Sequence, residues 1–388
     1  YGIFNPYTGR GAIVGLKPHG PHALRHGSID RYLHSLKFLT ADGTLADTER
    51  PETLPLRLRQ GVKEIAARLR PPGPARKFLA VRQDRKIASG YNLFPLLKTL
   101  PPETWIAQLL VGSVGTLGIV TEATLTAEPI PHGRAATLLY FTDLQQAGDA
   151  VRQIRQLDVA AIELMNDTAV EIVRSTFPHI PLPDTPAHMI LVEYLGNTRH
   201  DTMRQVHRLV TGNRYRLAAE PRSVDGEENI DALWKARKAL LPATRGYCTD
   251  RAPLTVVNDV GVPVEQLAPF IGEVQNLFRT LELPAAIYGH AGSGNLHLRP
   301  LFPKRADNLR DLLQTVADDV YEAVLRRGGT ISAEHGMGRQ RTPYLAKEWP
   351  PELLAVMHRI KTLFDPDDIL NPDVVFSNRN LTDDMVAF

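Results

Sequence analysis

Two histidines, His290 and His297, bracket a glycine-rich turn in Gly289-His290-Ala291-Gly292-Ser293-Gly294-Asn295-Leu296-His297, and a Glu-His pair follows in Ser332-Ala333-Glu334-His335-Gly336. Neutral imidazole nitrogens and a carboxylate oxygen suit zinc or manganese, and three such ligands leave coordination positions open for a substrate. The six residues between the two histidines are too many for one helix face. They suit two strand ends joined by a turn, with residues 285–288 and 296–298 as the strands. Glu334 then arrives from a separate element as the third ligand. Each histidine taken singly is more often a hydrogen-bonded core or surface residue than a ligand. It is the joint pattern that selects metal and proton-transfer chemistry.

A second glycine-rich stretch, Gly112-Ser113-Val114-Gly115-Thr116-Leu117-Gly118, lacks the glycine spacing and the strand-then-helix context of a Rossmann fingerprint. Its glycines permit close backbone approach to a phosphate, and its hydroxyls could hold an anion. A tight structural turn explains the same residues. Leu233-Trp234-Lys235-Ala236-Arg237 lies on an expected helix, where Trp234 and Arg237 share a face. Arginine can bind a carboxylate with two parallel hydrogen bonds, although a solvated arginine is the commoner outcome. Asn371-Pro372 reads equally as the cap that ends a preceding helix.

The elements that must position these groups fall into two patterns. Residues 33–47 read as a hairpin turning at Asp42-Gly43, residues 52–69 as an amphipathic helix, and an alternating strand runs from the glycine stretch to Leu125. Pro129 to Pro131 mark a boundary. Beyond it, strands at 137–141, 160–165, 188–195 and 215–219 alternate with helices at 144–156, 167–177 and 202–210. Such a succession predicts an antiparallel sheet covered by helices on one face, an α+β domain. Helices at 229–241, 264–280, 305–326 and 351–364 complete it.

At 388 residues and 43% hydrophobic content, the chain can bury more than one core. A net charge of +2 with scattered arginines calls for neither nucleic acid nor an anionic membrane. The single cysteine, Cys248, excludes an internal disulfide framework and an iron-sulfur cluster held by this chain alone, and it predicts a reducing compartment. No apolar run reaches the ~18 residues of a membrane span, and nothing marks secretion. The first residue is Tyr1, as in a fragment.

Four motifs in a fixed order make the chain resemble the FAD-linked 2-hydroxyacid dehydrogenases and oxidases. That family is the D-lactate dehydrogenase, glycolate oxidase and D-2-hydroxyglutarate dehydrogenase group of the vanillyl-alcohol-oxidase-like flavoproteins. The motifs are the stretch from Leu110 to Glu122, the His290 to His297 loop, the Ser332 to Gly336 stretch, and Phe364-Asp365-Pro366 with Ile369-Leu370-Asn371-Pro372. The likeness runs from about Gly20 to Val375. It implies an α+β protein: a partial FAD-binding domain at 1–129, a ferredoxin-like α+β substrate (cap) domain with the metal site at 130–350, and a C-terminal helix and tail at 351–388 returning to the flavin domain.

The resemblance also implies cofactors and roles. FAD would be held at its pyrophosphate and adenine by Gly112, Ser113, Gly115, Thr116, Gly118, Ile119 and Val120, and near its ring by Asn295 and Asn371. A divalent zinc or manganese ion would be bound by His290, His297 and Glu334. His335 would take the proton of the substrate hydroxyl, and Arg237 would hold its carboxylate. The partners implied are a small D-2-hydroxy acid and an unidentified electron acceptor, in the cytoplasm or peripheral to the inner membrane face.

The chain departs from the family at Val114, where Glu is usual, at Ser293, where most members have Asp, and at Leu16-Lys17-Pro18-His19. A first flavin subdomain is expected to be missing. The readings that stay open are a truncated enzyme, a non-catalytic remnant that keeps a metal-binding module, and a metal hydrolase with bound water as nucleophile. The last leaves the Gly112 and Asn371 motifs unexplained.

Overall fold

The computed structural model describes residues 10–129, 131–180, 182–212 and 215–383. They form two compact units: residues 10–20, 27–128 and 330–383 make the first, while residues 21–26 and 129–329 belong to the second. The chain therefore re-enters the first unit at Thr330, ahead of residue 351, where the family resemblance puts the return.

In the first unit, β1 (Leu33–Leu39) and β2 (Leu45–Asp47) form the expected hairpin. Gly43 takes the left-handed conformation at its tip (φ +80°), and Asp42 accepts from the Thr44 amide at 3.1 Å. β3 (Ile119–Leu125) pairs antiparallel with the other edge of β1. The helix Leu56–Leu69 buries Leu58, Val62, Ile65, Ala66 and Leu69, an apolar stripe at helical spacing. It starts later than residue 52 because Leu54 precedes Pro55, which holds it extended (φ −75°, ψ 129°); Pro51–Thr53 forms a separate 3₁₀ turn. The helix Pro102–Leu110, which the sequence pattern did not single out, opens on a proline and leads into the glycine stretch.

The helix Pro351–Phe364 ends where Asp365 precedes Pro366. Asn371 lies beyond that end, at φ +43°, so it does not cap this helix. The Asp365 carboxylate accepts from the Ile369 amide (3.1 Å), the Leu370 amide (2.7 Å) and Lys361 Nζ (2.5 Å). Lys361 also donates to the carbonyls of Leu370 (3.0 Å) and Thr116 (3.1 Å), tying the C-terminal motif to the glycine loop.

The second unit is built on eight antiparallel strands: β4 (Arg134–Phe141), β5 (Ala161–Met165), β6 (His188–Leu195), β7 (Leu217–Asp225), β8 (Arg251–Pro253), β9 (Val260–Gly261), β10 (Ala285–Gly289) and β11 (Asn295–Pro303). Their order is β7-β4-β6-β5-β10-β11-β8, with β9 also paired to β11. Covering on one face was expected. Instead β5 and β6 are buried along their whole length and β4 at every residue after Arg134, so both faces are covered. The helices Asp167–Thr176 and Glu227–Lys238 pack on the face that carries Ala136, Leu138, Ala161, Leu191 and Tyr288, and Leu144–Ile154 packs on the other. Runs such as Ala135-Ala136-Thr137-Leu138-Leu139-Tyr140-Phe141 are near-continuously apolar, which is the pattern of a doubly covered strand. Among the described residues, no helix is long and apolar enough to cross a membrane.

Burial works to raise the Asp365 carboxyl, but Lys361 and the two amides outweigh it and hold it below the usual range. A depressed carboxyl stabilises the fold at pH values above its unfolded pKa of about 4, and that contribution is lost as pH falls through the native value. Asp365→Asn should lower stability at pH 7 by about 1–3 kcal/mol and flatten the acid limb of the unfolding profile, read by denaturant melts at several pH values.

Candidate active site

In the second unit, β10 delivers His290 just past its last residue and β11 carries His297, with Tyr288 directly opposite His297 in the register. The turn between them depends on Gly294 at φ +71°, where an added Cβ would lie 1.9 Å from the Val262 carbonyl oxygen. The two imidazoles end with ring centroids 5.5 Å apart, inclined at 83°. That spacing lets one ion reach a nitrogen of each at the ~2 Å of a zinc–imidazole bond.

Both rings are oriented through Nδ1. His290 Nδ1 is 2.5 Å from Glu163 Oε1, and His297 Nδ1 donates to the Asn258 carbonyl at 3.0 Å. In the neutral ring such a contact puts the lone pair on Nε2, the arrangement in which histidines ligate metals. His297 belongs to a group of ligand atoms that could hold a cation, and His290 is not in that group. Asp259, fully buried, brings a carboxylate oxygen within 4.8 Å of a His297 ring nitrogen and accepts from Asn295 Nδ2 at 2.9 Å. Asn295 also donates to the Val260 carbonyl, which leaves its own buried Oδ1 without a partner.

Glu163 has a second duty. Its other oxygen accepts from Arg237 Nε at 2.7 Å, while the Arg237 guanidinium lies 4.7 Å over the Tyr288 ring. Arg237 is 8% exposed, so it is not the solvated arginine of a surface helix, and its Nη2 is buried without a partner among the described residues. One turn earlier on the helix Glu227–Lys238, Trp234 Nε1 donates to Glu193 at 3.0 Å. Glu193 is fully buried; burial would raise its carboxyl, but His22 and Arg134 hold it below the usual range. The helix is thus anchored to β5 and β6 through two buried carboxylates.

In the first unit, Glu334 is buried, with Oε2 3.6 Å from Lys86 Nζ and Oε1 3.5 Å from His335 Nε2. His335 is exposed. Ser332 Oγ donates to the Gly336 carbonyl at 2.7 Å and closes the turn, with Gly336 at φ +74°. His19 stands beside this group, and burial, then Lys86 and Lys17, push it down to about 3, so it is neutral near pH 7. Its Nδ1 is buried without a partner.

The glycine loop lies in the same unit. Gly112 and Gly115 are left-handed at φ +79° and +76°, and so is Val114 at φ +49°. The amides of Gly112 and Val114 donate to the carbonyls of Val14 and Gly15, the Ser113 hydroxyl donates to the Leu110 carbonyl at the helix end, and the Thr116 hydroxyl donates to the Ser113 carbonyl. These groups hold the loop's shape. Gly118 serves packing, since an added Cβ would meet Phe38 at 2.9 Å. Around Gly115 the space is open, with only Asn371 Nδ2 within 4.0 Å of an added Cβ, and Asn371 itself donates to the Val114 carbonyl at 2.6 Å. An opening lined by backbone and a carboxamide fits the close approach of a flat or phosphorylated group. Ile119 and Val120 lie on β3, with Ile119 55% exposed.

Sequence reading missed Glu163, Asp259, Lys86 and His19. A signal existed for the first, an acid inside the apolar strand Ala161-Ile162-Glu163-Leu164-Met165, because a charge there requires buried partners. The others sit in loops whose approach to the site no spacing rule announces.

The profile of the FAD linked oxidases, C-terminal domain, matches residues 130–375. The chain is 28% identical over 276 residues to the glycolate oxidase subunit GlcD of Bacillus subtilis, covering 70% of this chain and 57% of that protein. It is 28% identical over 386 residues to the mitochondrial D-lactate dehydrogenase [cytochrome] of Arabidopsis thaliana, covering 96% of this chain and 58% of the relative. It thus spans little more than half the length of these relatives. Among solved structures, the 4-ethylphenol oxidase from Gulosibacter chungangensis shares the fold, with a TM-score of 0.61 at 14% identity over 94% of this chain and 69% of that one. With the domain profile matched over more than half its length, the chain belongs to the FAD-linked oxidases.

Proposed function

We propose that this chain is the metal-bearing and substrate-bearing part of an FAD-dependent enzyme that oxidises a small D-2-hydroxy acid to the 2-oxo acid. The observation that carries this reading is the paired orientation of His290 and His297, each directed through Nδ1 by an acceptor on the same unit. His290 and His297, with Glu334 as the carboxylate, would hold a zinc or manganese ion, which lowers the pKa of a bound substrate hydroxyl. FAD, when bound, accepts the hydride from C2.

The remaining work falls to protein side chains. Arg237 offers the substrate carboxylate an unpartnered, buried Nη2. His335, exposed beside Glu334, takes the hydroxyl proton. Gly115 and Asn371 border the opening proposed for the flavin, with Gly112, Ser113, Thr116 and Gly118 shaping the loop and Ile119 and Val120 on the strand that follows. Asn295, its Oδ1 unpartnered, is proposed to face the flavin ring region. The division into a partial flavin domain, a substrate domain and a C-terminal return is part of the same proposal, with the return at Thr330 and not at residue 351, as are the unidentified electron acceptor and a cytoplasmic or membrane-peripheral location.

Elemental analysis of the purified chain should find close to one zinc or manganese ion per chain. His297→Ala should release it, and retention by the His290→Ala, His297→Ala double variant would end the metal assignment. Glu163→Gln, which can donate to His290 Nδ1 and so favours the wrong tautomer, should weaken metal affinity about 10–100-fold.

The chain alone should bind FAD weakly, and adding a flavin subdomain from a relative should restore flavin absorbance and dye-linked turnover that depends on His335. In that reconstituted enzyme Arg237→Ala should lower kcat/KM by about 10–100-fold, as loss of a charge-assisted hydrogen bond does. Flavin binding with no turnover of D-lactate, glycolate or D-2-hydroxyglutarate would make the chain a metal-binding remnant.

A further inference from the structure

Arg299 is a buried cation that nothing described so far uses. It is 3% exposed, and its Nε and Nη1 are buried with no hydrogen-bond partner among the described residues. Removing a guanidinium from water without a counter-charge is strongly unfavourable, so such a group marks either a defect or a place for an anion. Its position in the sheet favours the second. On β11 it lies two residues beyond His297, so the two side chains leave the same face of the strand, and it pairs with Ala286 as His297 pairs with Tyr288. Tyr288 and Ala286 belong to the face packed against the helix that carries Arg237, whose guanidinium covers the Tyr288 ring.

Two buried arginines therefore serve one face of β10 and β11. Arg237 is neutralised through Glu163 and has one nitrogen left over; Arg299 has no such partner. The strand rise puts Arg299 about 7 Å along β11 from His297, the proposed metal end. That is a step suited to a group several bonds from the hydroxyl-bearing carbon. On the reading above, a one-carboxylate acid such as lactate would engage Arg237 and the metal ligands and would leave Arg299 uncompensated.

We propose that Arg299 binds a second carboxylate of the substrate, so that this chain selects 2-hydroxy diacids over 2-hydroxy monoacids. The proposal rests on the 2-hydroxyacid reading above and narrows it to a substrate class. A structural arginine and a ligand-seeking one differ in what their removal does. Loss of a structural arginine destabilises the ligand-free chain, whereas loss of an uncompensated buried cation stabilises it.

The test uses the zinc-loaded chain, Arg299→Gln and Arg299→Lys, with calorimetric titration of D-lactate, D-malate, D-2-hydroxyglutarate and D-3-phosphoglycerate and thermal melts without ligand. The wild-type chain should bind one or both diacids about tenfold or more tighter than D-lactate. Arg299→Gln should remove that preference, leave D-lactate affinity within about twofold and raise the ligand-free Tm, while Arg299→Lys should keep part of the preference. Equal binding of mono- and diacids by the wild-type chain would overturn the proposal alone, as would an unchanged diacid preference or a lowered Tm in Arg299→Gln. Preference for the phosphorylated acid over both diacids would overturn the carboxylate assignment. Binding of none of the acids would overturn the 2-hydroxyacid reading and this proposal with it.

Discussion

The carboxylate of Glu163, fully buried in an apolar strand, is the constraint on which the second unit's chemistry depends. A lone carboxylate there would be prohibitive, so its two oxygens must be met by donors from outside the strand. They are met by His290 from the end of β10 and by Arg237 from a helix. One buried charge thereby fixes the tautomer of an imidazole and the position of a guanidinium. Glu193 repeats the device on the neighbouring strand, with His22, Arg134 and Trp234 as partners. Because Trp234 and Arg237 share a helix face, the two carboxylates hold that helix at two points one turn apart.

The first unit solves a different problem, which is to hold irregular backbone in place. Its glycine loop and its C-terminal tail are both aperiodic, and each has carbonyls and amides that regular structure would have satisfied. Lys361 and Asp365 supply the missing partners, bonding to Thr116 on one side and to Ile369 and Leu370 on the other. The motifs of these two segments are thus explained without a ligand. What they leave over is an open side at Gly115 next to the Asn371 carboxamide.

The buried arginines differ in how far they are matched. Arg134 is matched by Glu193, Glu227 and Asp231, and Arg82 by Glu348. Arg237 is matched at one nitrogen and open at another, and Arg299 is unmatched at two. Single unpartnered nitrogens also occur at Arg59, Arg82 and Arg341, but among the described residues only Arg299, on the face of β10 and β11 that carries His297, has two.

The sequence by itself determined most of the elements, because their signals are local. Alternation and apolar runs placed β6 and the helix Pro351–Phe364, and Asp42-Gly43 placed the hairpin turn. The spacing of His290 and His297 around Gly294 foretold two strand ends joined by a tight turn. Where local rules competed, proline won: Leu54 before Pro55 delayed a helix, and Pro366 ended another before Asn371 could cap it. What only the tertiary structure decided was which charges are buried together. Glu163, His290 and Arg237 are far apart in sequence, and no periodicity links a strand acid to a turn imidazole and a helical guanidinium. Their association follows from strand order, with β5 beside β10, and from the desolvation of a carboxylate that must find donors wherever the fold brings them.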